Sequence, residues 1–144
     1  MATPTITRNP RNYVTPEVWD REIALLIRDH HTWDTVMAER VFGQAIAYLI
    51  TAMQSGTPGL GCGELVDEGV HQLILDTKIY REFCDQHYGQ FLDHIPFIER
   101  KCDGSVMRTA EAIAAFGFEI DVALWEKDAT NCTPCSSRTQ SGCH

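Results

Sequence analysis

Residues Asp67–Pro96, DEGVHQLILDTKIYREFCDQHYGQFLDHIP, decide the fold. Leu73, Ile74, Ile79, Tyr80 and Phe83 supply apolar faces at helical steps, and Leu65 continues the pattern upstream. The reading is a single helix from about Glu64 to Tyr88. Gly89 fits the left-handed position that follows a helix C-terminus. Phe91, Leu92 and Ile95 then pack in an irregular closure that stops at Pro96.

Upstream, Thr15-Pro16-Glu17 reads as a helix start: a hydroxyl N-cap, proline at the first helical position and an acid in the first turn. Val18, Trp19, Glu22, Ile23, Leu26 and Ile27 lay a stripe on that helix, which fades at Asp29-His30-His31. A second helix, about 33 to 54 with Asp29 or Thr32 as its cap, carries the longest amphipathic pattern in the chain, from Trp33 to Met53. The run Ser55-Gly56-Thr57-Pro58-Gly59, followed by Gly61-Cys62-Gly63, ends it in a glycine-rich loop. Downstream, a helix over about 104 to 116 has Asp103 or Ser105 as cap and Gly117 as stop. Ile120 to Trp125 forms a short fifth helix capped by Asp121, or a docking turn.

No alternation is long enough to build a sheet. The class is therefore all-α: four or five helices packed around the second and third. Residues 1–14 form an irregular polar arm, 15–127 the helical domain and 128–144 a tail. In that tail, ATNCTPCSSRTQSGCH has almost no apolar residue except cysteine and cannot bury a core of its own.

Composition narrows the function classes. The 144 residues suffice for one core, and 44% hydrophobic with 22% charged is an ordinary globular balance. A formal charge of −8 argues against a phosphate-binding surface for nucleic acid and against docking on anionic membrane. No window approaches the ~18 apolar residues of a membrane span. The N-terminal stretch MATPTITRNPRNYVTPEVW lacks the apolar core of a secretory signal, so the expected compartment is the cytoplasm. Of six cysteines, three fall in the last thirteen residues; without a secretion signal, a disulfide framework is not the first expectation. There is no GxGxxG, P-loop, HExxH or GxSxG motif.

Two constellations carry chemistry. Asp67 and His71 are four residues apart and share a helix face, where a carboxylate orients an imidazole and raises its basicity. His94 follows the Gly89 turn, which brings the chain back toward that face. Asp67, His71 and His94, with Asp76 as a further oxygen and Asp93 beside His94, suit zinc or another transition metal. The same residues also admit a plainer reading, in which His71 bonds a backbone carbonyl and His94 packs in a loop, and a general acid–base reading. In the tail, Cys132-X-X-Cys135 has metal-clamp spacing, and Cys143-His144 adds two donors. There a soft metal, disulfides or free thiols, and modification by a partner enzyme compete. Cys84 reads as a small buried hydrophobe, with His87 three residues on as its only potential base. His30-His31 reads as a solvated helix end, and Trp19, Trp33 and Trp125 as packing.

The features from about Asp34 to Trp125 resemble small bacterial proteins related to the glycine-rich domain-containing proteins of plants. That family shows an Asp-X-X-Trp-His element, then Tyr-X-X-aromatic-Cys, then Gly-X-Phe-X-His-His-X-Pro. The corresponding residues are Asp67 and His71; Tyr80, Phe83 and Cys84; Gly89, Phe91, His94 and Pro96; and, downstream, Leu124-Trp125. Val70, Asp76 and Asp93 stand where the family carries tryptophan, histidine and histidine. The resemblance implies a helical domain and no defined reaction. The overall expectation is a non-enzymatic binding protein that engages a metal or a protein partner. Its alternatives are a carrier whose tail is modified and a metal-dependent enzyme.

Overall fold

The computed structural model describes residues 7–95, 99–100 and 102–131. Among them it contains six α-helices and one short 3-10 helix, Pro10–Tyr13: α1 Pro16–Asp29, α2 Thr35–Gln54, α3 Glu64–Leu75, α4 Thr77–His87, α5 Ser105–Ala115 and α6 Val122–Thr130. The only strand-like pairing among the described residues is an isolated bridge between Arg8 and Phe118. The all-α class is as expected. No described helix is long and apolar enough to cross a membrane.

α2 is the axis of the bundle. Every residue from Val41 to Thr51 is buried, so α1, α3 and α5 pack around it. α3 lies closest, because Gly69 presents no side chain to α2; a Cβ there would meet the Ala45 Cβ at 2.8 Å. Trp125 of α6 is fully buried, and its indole N–H donates to Gln44 Oε1 at 2.8 Å. Gln44 in turn donates to the Glu119 carbonyl, so the polar pair inside the bundle is satisfied.

The caps explain where the helices start. Thr15 accepts from the Val18 amide as expected. α2 is capped by Asp34, which accepts from Met37, and not by Asp29 or Thr32. Asp29 still belongs to α1, where Arg28 holds its carboxylate. Asp121 accepts from Leu124 and starts α6. Gly89 and Gly117 both have positive φ, at 77° and 106°, and both follow helix ends.

The long helix expected from Glu64 to Tyr88 is two helices. Asp76, at φ −84° and ψ 69°, leaves the helical region between α3 and α4. Its carboxylate accepts from Arg21 Nε of α1 at 2.7 Å, and its carbonyl accepts the Tyr80 amide. An aspartate that bonds outside the helix competes with helical continuation. The count of six helices, against an expected four or five, follows from this break.

The expected boundaries also shift. Residue 128 falls inside α6, and Asp128 is fully buried. Its carboxylate accepts the Leu65 and Val66 amides at 2.8 and 3.1 Å, capping an α3 whose own N-cap residue, Gly63, has no side chain. A Cβ at Gly63 would lie 2.3 Å from the Asp128 Cβ. Within the expected N-terminal arm, Arg8 is tied to the bundle by its backbone bond to Gly117 and by its guanidinium on the Phe116 carbonyl.

Candidate metal centre

Asp67, His71 and His94 come together, as their spacing suggests. Asp67 and His71 lie one turn apart on α3. His94 reaches them because α4 ends at His87 and Gly89, with φ 77°, turns the chain back. Tyr80 O–H donates to the Leu92 carbonyl at 2.6 Å, which anchors the returning segment two residues before His94. One oxygen of Asp67 and one ring nitrogen of each histidine lie within 4.8 Å of one another, the one such group of three among the described residues.

The closest separations are shorter. His94 Nε2 is 3.0 Å from Asp67 Oδ1 and 3.1 Å from His71 Nε2, and His71 Nε2 is 3.6 Å from Asp67 Oδ2. Ligand atoms at ~2.0–2.1 Å around a tetrahedral zinc are separated by roughly 3.3 Å. The three donors therefore stand at the spacing of one coordination shell. The facing imidazole nitrogens are satisfied either by an N–H of one ring donating to the other or by a metal held between them.

Burial is graded across the site. The Asp67 side chain is 5% exposed, that of His94 17% and that of His71 39%. Arg100 donates to Asp67 Oδ2 at 2.5 Å and supplies a fixed positive charge behind the carboxylate. Burial pushes the Asp67 carboxyl up. The His94 hydrogen bond, the charges of both histidines and the Arg100 hydrogen bond outweigh it, and the net shift is below the ordinary carboxylate value.

Cys62 and Arg100 were not singled out by the sequence reading. Cys62 Sγ is 3.8 Å from Asp67 Oδ1. Burial first, then the negative charge of Asp67, push the Cys62 thiol well above its usual range. The signal for Cys62 was its place between two glycines, five residues before Asp67. Arg100 is 33 residues from Asp67 and carried no local signal. A cavity of about 360 Å³ opens beside this group, lined by Tyr48, Leu60, Cys62, Asp67, Asp93, His94 and Ile95.

Other expectations fall away from the site. Asp76 is not a donor here; it sits between α3 and α4 on Arg21. Asp93 lines the cavity but is exposed. Cys84 is fully buried, and His87 Nε2 turns instead to the Tyr13 carbonyl at 2.7 Å, so no Cys84–His87 pair forms. His30 is not simply solvated: it stacks on Trp33 at 3.9 Å and contacts Glu68. Cys62 and Cys84 are free thiols, and Cys102 is disulfide-bonded. The tail donors Cys132, Cys135, Cys143 and His144 lie outside the described residues.

No family model, curated protein or solved structure matches the chain.

Proposed function

We infer that this chain is a binding protein for a divalent transition metal, held by Asp67, His71 and His94. The observation that carries the reading is the convergence of one carboxylate oxygen and two imidazole nitrogens at separations of 3.0 to 3.6 Å. Imidazole and carboxylate are ordinary ligands for zinc and its neighbours. Arg100 supports the ligands by holding the second Asp67 oxygen, as outer partners commonly do. The metal would fix the returning segment around His94 onto α3.

A structural reading has its own support, the Arg100–Asp67 ion pair. In it, Arg100 and the histidines satisfy a buried carboxylate without any ion. Zinc binding followed by calorimetry separates the two. The metal reading expects His71→Ala and His94→Ala each to weaken binding by at least about tenfold, the scale of losses at supporting residues of metal sites. Unchanged zinc affinity in both variants removes it. The same titration on Cys132→Ser, Cys135→Ser and Cys143→Ser proteins reports whether the tail donors bind a metal of their own.

A further inference from the structure

We propose that the fourth coordination position of the Asp67–His71–His94 centre opens onto the neighbouring cavity, and that the carboxylate of a small monocarboxylic acid binds there. This rests on the metal reading above and names the ligand that the same site takes.

Three donors do not close a zinc site. Among the described residues no fourth His, Cys, Asp or Glu atom joins the group formed by Asp67, His71 and His94. Structural zinc is held by four protein ligands, whereas a site with three keeps a position for water or an added molecule. Two of the three, Asp67 and His94, line the cavity of about 360 Å³. A second cavity, of about 210 Å³, shares Tyr48, Leu60, Asp93 and His94 with the first. Pockets for small molecules begin at about 300 Å³, so the space suits a ligand of few atoms.

Charge and wall chemistry choose the class of ligand. A divalent ion offset by the single Asp67 carboxylate leaves a positive centre, and Arg100, bonded to Asp67 Oδ2, adds to it. An anionic oxygen head is the matching ligand. Leu60 stands on both cavities, and Leu49, Ala52 and Leu92 extend the apolar wall of the second. That wall suits a short alkyl body. Asp93 also lines both cavities, and its carboxylate disfavours a second negative charge on the ligand.

Calorimetric titration of butyrate into the zinc-loaded full-length protein tests this. Butyrate is expected to bind the zinc-loaded form at least about tenfold more tightly than the metal-free form. Succinate should bind at least about fivefold more weakly than butyrate, and Asp93→Asn should remove that difference. Leu60→Trp, which fills the cavity from the loop before α3, should abolish butyrate binding and leave zinc affinity unchanged. With Co²⁺ in place of zinc, butyrate should shift the visible bands of the ion as it enters the coordination shell. Zinc binding that depends on His71 and His94, without zinc-dependent butyrate binding, overturns the open position and leaves the three-residue site standing. Absence of His71- and His94-dependent zinc binding overturns both readings. Butyrate binding confined to the Cys132→Ser/Cys135→Ser/Cys143→Ser protein would assign the fourth position to a tail thiol and overturn the proposal. Equal affinity for succinate and butyrate rejects the singly charged class.

Discussion

Asp67 on α3 and Glu22 on α1 are both buried carboxylates, 3% and 0% exposed, and the bundle treats them in opposite ways. Asp67 meets two histidines, an arginine and a thiol. Among the described residues no donor reaches either oxygen of Glu22, which lies against the Asp76 carboxylate. Burial lifts the Glu22 carboxyl to about 8; the neighbouring Asp76 carboxylate adds to the rise and Arg21 opposes it. Asp67 ends below its ordinary value. Burial acts in the same direction on both, so the donors gathered around Asp67 make the difference. Asp128 stands between them. Burial raises its carboxyl despite the two α3 amides it accepts. An acid surrounded by cations and donors stays charged and reactive, whereas one buried without them holds its proton.

The largest effect should come from breaking the charged side of this comparison. Asp67→Asn leaves Arg100 and the histidines without their carboxylate and is expected to cost about 3–5 kcal/mol, the range for disrupting a buried ion pair. Urea denaturation measures it, and a loss under about 1 kcal/mol would show that the network contributes little. The second test removes the uncharged member. Glu22 has a raised folded-state pKa, so its contribution is complete below the unfolded value of 4.5 and is lost as pH rises through about 8. Glu22→Gln should therefore stabilise the protein at pH 7 by about 2–3 kcal/mol, while wild type and variant converge near pH 4. Equal stabilities across that range would show that Glu22 ionises without penalty.

The pH profile of Asp67 has the opposite sign. Its lowered pKa gives stability that is present above about 3.8 and lost as pH falls through the folded value. Acid titration of wild type against Asp67→Asn should show the difference shrinking below that pH. Asp128→Ala tests the intermediate acid. It strips the cap from α3 and is expected to cost about 1–2 kcal/mol, as N-cap deletions do. The smallest change in stability belongs to His71→Ala, under about 1 kcal/mol without metal because His71 is partly exposed. The contrast between that small effect and a large loss of metal affinity separates a ligand from a structural prop.

Much of this molecule was legible in local pattern. The Thr15-Pro16-Glu17 start, the apolar run of α2, the Gly89 and Gly117 stops and the Asp121 cap each depend on residues within a turn or two of one another. The Asp67–His71 pair was visible for the same reason. The α3–α4 break was not, because no glycine or proline marks it and the residue that draws Asp76 out of the helix is Arg21, on another element. The Asp34 cap was missed because Asp29 and Thr32 compete for that role in sequence, and only the turn through His30–Trp33 decides between them.

The sequence by itself determined a helical class, most helix ends and three of the residues that now form one site. Those features follow from side-chain periodicity and from caps that act over a few residues. Tertiary structure alone decided that α3 is capped by Asp128, 62 and 63 residues from the amides it accepts, that Arg100 sits behind Asp67, and that Cys62 faces the same oxygen as His94. It also left Glu22 buried beside the Asp76 carboxylate, with no donor reaching its oxygens among the described residues. Each of these depends on which helix faces which, and that is set by packing around Gly69 and α2, a choice that no short stretch of sequence contains.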